Sequence, residues 1–237
     1  ENPAIAGELA IIWEKEFDEI MKNGGFDVVV GNPPYGISIS EQEKEFFRNN
    51  YPNSNYKINL YILFIERSVQ IFRNAVVHFI IPKSLLFNSY FKNIRELLIN
   101  ETNLEEVFTL KEKVFADAEV GDSLLLKISL PKKKKTTTHL IAKVNFNDVS
   151  GTDYYEKQSY FLSDNNSEIS IVSNSGKALV EKIKKFPKII DFYNLKNGLN
   201  TGNVKHKLVS KDNQSANYKK IIWGKDINRY KICWSGE

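Results

Sequence analysis

The residues with the clearest chemical potential are Asn32, Pro33, Pro34 and Tyr35, which follow a short apolar run at Phe26 to Val30. The side-chain oxygen of Asn32 and the backbone carbonyl of Pro33 can each accept a hydrogen from one planar amine. Two such acceptors localise the nitrogen lone pair and direct it toward an electrophile. The prolines stiffen the turn and remove N–H groups that would compete. The pattern predicts a pocket that activates a weakly nucleophilic amine, such as N6 of adenine, without a general base.

Tyr35 adds a flat aromatic face to this predicted pocket. An extruded base can stack on such a face, which is worth about 1–3 kcal/mol per base. N6 of adenine is paired inside duplex DNA, so an enzyme that modifies it must flip the nucleotide out of the stack. The alternative is a proline-rich strand exit with a purely structural role. The apolar run before the motif and the flanking Gly31 and Gly36 favour the catalytic interpretation.

A strand and a helix are predicted to position the motif. Phe26 to Val30 is β-branched without strict alternation, which is typical of a strand covered on both faces in a parallel sheet. The preceding Ile5 to Lys22 has helical apolar spacing, and Gly24 and Gly25 are expected to end that helix. The paired prolines end the strand, because neither can donate to a ladder. Ligands of such sheets bind beyond the carboxyl ends of the strands, where the motif lies.

The remaining pattern alternates between strands and helices, which predicts an α/β doubly wound sheet. After Pro187 the composition shifts to Gly, Asn and Lys with scattered aromatics. We therefore expect two domains, at residues 1–186 and 187–237. The predicted helices after the motif span residues 41–49, 59–73, 84–99 and 175–186, and the predicted strands span 76–81, 105–110, 123–130 and 139–146.

Charge and composition restrict the class of protein. From Lys196 to Glu237 there are nine Lys/Arg and three Asp/Glu, so the surplus behind the net charge of +4 lies in the tail. That surplus indicates either a phosphate-contacting surface or an ordinary solvated face, and the run Lys132 to Lys135 is more typical of a solvated face. One cysteine, Cys233, and three histidines predict no disulfide and no metal site. Without an apolar stretch of membrane-spanning length, a cytoplasmic protein with no membrane partner is expected.

At this point the sequence resembles the Asn-Pro-Pro-Tyr amino-methyltransferases of restriction–modification systems, especially type IIG-like enzymes that combine modification with target recognition. The resemblance implies the second half of a Rossmann-like sheet that uses S-adenosylmethionine, followed by a partial mixed α/β recognition domain for double-stranded DNA. It also implies that Asn59 binds substrate and that Phe115 forms a second wall of the adenine pocket, the alternative for Phe115 being a core residue. The resemblance rests on four segments: FDVVVGNPPYG at 26–36, NLY at 59–61, VHFIIP at 77–82 and VFADAEV at 114–120.

The tail and the N-terminus extend and limit this resemblance. GLNTG at 198–202 and WGKDINRY at 223–230 are similar to the opening of the family's target-recognition domain. The family's glycine-rich donor loop precedes its Asn-Pro-Pro-Tyr strand, whereas only 31 residues precede Asn32 here. The cofactor-binding residues therefore stay unknown, and we expect a fragment of a larger enzyme with weak donor binding. A restriction endonuclease domain or subunit is expected upstream.

Three other functions are compatible with the same residues. A glutamine amide on a protein needs the same two acceptors, and so does an adenine in RNA. The long continuation after Leu130, the Phe115 loop and the basic tail favour DNA over a protein substrate. The third alternative is a catalytically silent DNA-binding specificity module that keeps the fold without turnover.

Overall fold

Six strands form one mixed sheet in the order β1-β2-β4-β3-β5-β6. The computed structural model describes residues 11–54, 58–112, 122–131, 136–144, 147–163, 165–194, 198, 205–210 and 219–234. The parallel pairs are β1 with β2 and β3 with β5, whereas β4 runs antiparallel to both of its neighbours and β6 antiparallel to β5. The strands are β1 (Val28–Gly31), β2 (Val76–Pro82), β3 (Asn103–Leu110), β4 (Ser123–Ser129), β5 (Thr137–Lys143) and β6 (Thr152–Lys157).

The predicted α/β class is confirmed, with the strand directions more mixed than a doubly wound parallel sheet. Strand β4 follows β3 in the chain but inserts between β2 and β3, so it meets both in the antiparallel direction. The carboxyl ends of β1, β2, β3 and β5 consequently share one edge of the sheet. The helices of this part of the chain are α1 (Trp13–Glu16), α2 (Asp18–Lys22), α3 (Glu41–Asn50), α4 (Leu60–Ile71), α5 (Lys92–Glu101) and α6 (Asn174–Lys184).

The core lies on one face of the sheet, here called the helix-covered face. Its side chains from neighbouring strands, such as Val77, Leu126 and Val107, pack with Ile65 of α4 and Leu98 of α5 in one buried cluster. These residues are at most 1% exposed. Burial of each large apolar side chain contributes about 1.5–3 kcal/mol, so this cluster dominates the stability of the sheet.

The opposite side, here called the open face, corrects one expectation. The strand that contains Val28 and Val30 is predicted to be covered on both faces, but these two side chains are 61% and 77% exposed. They alternate with the half-buried Val29, and β1 is an edge strand. A run of three valines is compatible with burial of one face or of both, so the sequence pattern could not distinguish the two cases.

Two predicted helices also differ from the structure. Within the described part of the first one, the chain forms two short helices that meet at Phe17, whose φ of −129° and ψ of 43° interrupt the helical hydrogen bonding. The second of these short helices, α2, ends at Gly24 and Gly25 as predicted, and the Gly25 N–H donates to the Ile20 carbonyl at 2.9 Å.

The predicted helix at 84–99 begins as two 3-10 turns, Lys83–Leu86 and Ser89–Phe91, and becomes α-helical only at Lys92. The physical reason is competition for backbone groups. The Asn88 side chain accepts from the Tyr90 N–H, and the Leu85 carbonyl accepts from the Arg95 guanidinium. The Asn88 carbonyl accepts both from Arg95 and from the Phe91 N–H, a 3-10 rather than an α-helical partner.

The chain divides into two compact units, residues 1–181 and 182–237. The assignment of catalytic and target-recognition roles to residues 1–186 and 187–237 stays a prediction. The second unit contains α7 (Ile189–Phe192), α8 (Lys205–Leu208), the 3-10 turn Gly224–Asp226 and a hairpin of β7 (Ile227–Asn228) and β8 (Lys231–Ile232). Among the described helices of the whole chain, none is both long and apolar enough to cross a membrane.

Candidate active site

The Asn-Pro-Pro-Tyr turn begins directly after Gly31, the last residue of β1. Gly31 is paired with Phe79, and a Cβ placed on Gly31 would lie 3.1 Å from Cε1 of the Phe79 ring. The absence of a side chain at Gly31 therefore lets the phenylalanine ring lie against the strand that carries Asn32. At the other end of the turn Gly36 has a φ of +76°, a conformation that favours glycine.

Asn32 and Pro33 differ in burial but share one property. Asn32 is exposed and Pro33 is buried. Within the described residues, neither the Asn32 side-chain amide nor the Pro33 carbonyl takes part in a hydrogen bond. Both predicted acceptors are thus available for a ligand amine at the carboxyl edge of the sheet.

A cavity of about 500 Å³ lies beside these two residues. Its walls come from β1, the motif, the C-terminal part of α3 and one side of α4, and they are mainly apolar. Arg67 is the only charged residue among the described lining residues. The volume of the cavity falls in the range of small-molecule sites, about 300–1,000 Å³, and the walls of the cavity suit a flat heterocycle. The lining residues are Trp13, Val29, Val30, Gly31, Asn32, Pro33, Phe47, Tyr51, Leu60, Leu63, Phe64, Arg67, Ser68, Ile71, Phe72 and Phe79.

The other predicted site residues lie in several places. Pro34 and Tyr35 are partly buried and are not among the described lining residues, and Tyr35 packs against the hydrophobic core. Asn59 is the N-cap residue of α4, but its side chain makes no capping hydrogen bond, and its side-chain oxygen is buried without a hydrogen-bond partner in the described part of the chain. Phe115 lies outside the described residues. The structure thus brings Asn32 and Pro33 together at one cavity, and the roles of Tyr35, Asn59 and Phe115 stay predictions.

A buried carboxylate fixes one wall of the cavity, and sequence reasoning missed it. Glu66 of α4 is 1% exposed. Its two oxygens accept from the Asn53 backbone N–H at 3.1 Å, the Asn53 side-chain amide at 2.9 Å and the Ser54 hydroxyl at 2.7 Å. These bonds attach the turn after α3, and with it the lining residue Tyr51, to α4. An acidic residue directly after the apolar run Leu60 to Ile65 was the available signal, because a buried carboxylate needs several donors.

Arg95 holds the segment after β2 in place, as Glu66 holds the turn after α3. Arg95 is completely buried and donates to the carbonyls of Leu85 and Asn88 at 2.8 and 2.7 Å. On the other side of the guanidinium it donates to the carbonyls of Asn166 and Ser167 at 2.7 and 3.1 Å. Four carbonyls thus replace the water lost on burial, and the carboxyl-end segment of β2 is tied to residues more than seventy positions later.

Tyr61, in the segment that resembles the family's pocket lining, is instead part of the core. It is completely buried, its ring packs edge-on against Phe91, and its hydroxyl lies 3.3 Å from that of Ser84. Burial raises the pKa of the Tyr61 phenol well above its usual value, since the ionised form would lose its hydration. Tyr61 is therefore a neutral packing residue.

Comparison with known proteins shows what this chain is similar to. Residues 1–115 match the family model described as Eco57I restriction-modification methylase. The chain is 28% identical over 180 residues to a putative type II restriction enzyme and methyltransferase of Methanocaldococcus jannaschii, RM.MjaORFECS2P, a match that covers 73% of this chain and 15% of that protein. The chain is similar to restriction–modification methylases over these residues. This confirms the resemblance predicted from the sequence.

Two further similarities agree with this relationship. The type II methyltransferase M.TthHB8I of Thermus thermophilus is 32% identical over 110 residues, which are 42% of this chain and 25% of that protein. The type IIG restriction endonuclease BpuSI shares the fold with a TM-score of 0.53 at 16% identity, over 70% of this chain and 23% of BpuSI. The chain thus spans a quarter or less of the length of these three proteins.

Proposed function

We propose that this chain forms the amine-binding part of a DNA methyltransferase that transfers a methyl group from S-adenosylmethionine to N6 of a flipped adenine in a restriction–modification system. The observation that carries the proposal is the pair of unengaged acceptors on Asn32 and Pro33 beside a cavity of about 500 Å³. The relationship to restriction–modification methylases supports DNA as the substrate.

In this proposal the Asn32 oxygen and the Pro33 carbonyl each accept one hydrogen of the adenine amine. This arrangement draws the nitrogen toward a tetrahedral geometry and aims its lone pair away from the two acceptors. Because prolines fix the turn and Gly31 seats it against Phe79, the acceptors are oriented before the base arrives. The apolar walls exclude water, which strengthens both hydrogen bonds.

S-adenosylmethionine supplies an electrophilic methyl group when it is bound. The described lining of the cavity fits the methyl end of such a donor, since it is mainly apolar and next to Asn32. It contains no carboxylate to hold a ribose, within the described residues. In this proposal, the contribution of the described residues is to bind and orient the amine.

A substrate comparison with the protein at its natural length tests this function. Radiolabelled S-adenosylmethionine is supplied with duplex DNA, an RNA hairpin or a glutamine-containing peptide, and the modified nucleoside is identified by mass spectrometry after digestion. We expect label in DNA as N6-methyladenine. Label in RNA, in the peptide or in N4 of cytosine would contradict the proposal, and the absence of any transfer with a complete donor-binding segment would indicate a silent DNA-binding module.

A further inference from the structure

The hairpin of the second unit ends in a prominent two-residue tip. Ile227 pairs with Ile232 and Asn228 with Lys231, so Arg229 and Tyr230 form the connection. Tyr230 is 94% exposed, and the Arg229 guanidinium lies 5.3 Å from the centre of its ring. The tip therefore presents an aromatic plane and a cation to its surroundings.

The backbone at Tyr230 is in an unfavourable conformation for an aromatic residue. Its φ of +61° belongs to the left-handed region, where glycine and asparagine are the usual occupants. A side chain that is almost entirely exposed gains little from packing within the chain. Non-glycine residues in such conformations tend to occur at functional sites, because selection for stability alone would replace them.

The charge of the hairpin segment is strongly one-sided. Residues 219–234 contain five basic residues and one acidic residue, Asp226. Asp226 is only 1% exposed: its carboxylate accepts from the Trp223 N–H at 2.9 Å and its carbonyl from the Cys233 N–H at 2.7 Å. The buried carboxylate thus holds the turn that leads into the hairpin, and the Asp226 carbonyl holds the base of the hairpin. The basic residues, all exposed, are Lys219, Lys220, Lys225, Arg229 and Lys231.

We propose that Arg229, Tyr230 and Lys231 form a DNA-contacting tip, in which the cations bind backbone phosphates and the tyrosine ring lies against the groove. The proposal rests on the proposed function only in taking duplex DNA as the partner. A two-stranded ribbon fits the major groove of B-DNA, and arginine and lysine are the residues that neutralise phosphates. The exposed position of Tyr230 between two cations places its ring where it can reach sugars and base edges.

The test is a titration of fluorescein-labelled duplex DNA with the protein at its natural length, followed by anisotropy over a range of KCl concentrations. Arg229→Ala with Lys231→Ala is compared with the control Arg73→Ala with Lys157→Ala. Both control cations are exposed, and they lie at the amino-terminal edge of the sheet, since Arg73 precedes β2 and Lys157 pairs with the first residue of β5.

For the hairpin double variant we expect the slope of log K against log salt to fall by about 0.9 per lost phosphate contact, which is about eightfold in affinity per contact between 1 M and 0.1 M salt. The control double variant should bind like the unaltered protein. If the two double variants bind DNA equally, the proposal is wrong. It is also overturned if the hairpin variant keeps its DNA affinity but loses binding to vesicles that contain phosphatidylserine, which would assign the tip to a membrane surface.

Tyr230→Gly tests whether the tyrosine ring contacts DNA without disturbing the fold of the hairpin. Glycine suits a φ of +61°, so the hairpin should remain folded and thermal unfolding should occur at the same or a higher temperature. DNA affinity should nevertheless fall with an unchanged salt slope, and Tyr230→Phe should restore most of it. Unchanged affinity for Tyr230→Gly would show that the ring makes no contact. These binding results stand apart from methyl transfer, so a failure here and a failure of the proposed chemistry are distinguishable.

Discussion

The two faces of the six-stranded sheet differ in how they are stabilised. On the helix-covered face, Val77, Leu126 and Val107 join helices α4 and α5 in a continuous apolar core. On the open face, half-exposed polar residues lie among the apolar ones: His139 is 2.5 Å from the Asp153 carboxylate and stacks on Tyr155. The first face depends on close packing, and the second on contacts that remain accessible to water. Substitutions should therefore be costly on one face and tolerated on the other.

The largest expected effect is at Arg95 of α5, a helix that packs on the helix-covered face. Arg95→Ala removes a donor from four carbonyls, of which those of Leu85 and Ser167 are buried, and each buried group left unsatisfied costs about 1–3 kcal/mol. We expect the free energy of unfolding to fall by more than about 3 kcal/mol, measured by urea denaturation. The exposed Arg73→Ala is the control, with a change within about 0.5 kcal/mol. If Arg95→Ala lowers the free energy of unfolding no more than Arg73→Ala does, Arg95 does not hold these segments together.

A matched pair of valines on neighbouring strands compares the faces directly. Val77 is 1% exposed on the helix-covered face, whereas Val30 is 77% exposed on the open face. Val77→Ala removes two buried methyl groups and leaves a cavity, which should lower the free energy of unfolding by about 2–3 kcal/mol. Val30→Ala should change it by less than about 0.5 kcal/mol. Equal losses in urea denaturation would show that the open face is covered in solution.

A smaller effect is expected at the point where the helix-covered face meets the motif. Gly31→Ala places a methyl group 3.1 Å from the Phe79 ring, so the ring or the strand must shift by a few tenths of an ångström. We expect a loss of about 1 kcal/mol in thermal unfolding, within the usual range for overpacking. The double variant Gly31→Ala with Phe79→Leu makes room for the methyl group. If it recovers none of the loss attributable to Gly31→Ala, relative to Phe79→Leu alone, the contact is not the cause.

Much of this architecture follows from local patterns in the sequence. The apolar run before Asn32, the strand that ends at Pro82 and the glycines after Lys22 each predict the observed element, because strand exits and helix caps depend on neighbouring residues. The family resemblance carried by FDVVVGNPPYG is also confirmed.

The features that the sequence did not predict depend on distant partners. The insertion of β4 between β2 and β3 is a choice of pairing that its apolar alternation does not specify. Glu66 and Arg95 are charged residues on amphipathic or apolar helices, and their burial depends on donors and carbonyls that other segments supply. The exposure of Val30 depends on whether another element covers the open face. For the same reason, the placement of Tyr35 against the core was not readable from its neighbours.

The central claim is that Asn32 holds the reacting amine, and methyl transfer by Asn32→Ala tests it most directly. The protein at its natural length is assayed with duplex DNA and labelled S-adenosylmethionine, beside Asn49→Ala, an exposed asparagine on α3 as control. The loss of one oriented hydrogen-bonding group should lower the rate by about 10²–10³-fold, while DNA affinity stays unchanged. A rate within about tenfold of the control would contradict the assignment of Asn32 as the acceptor.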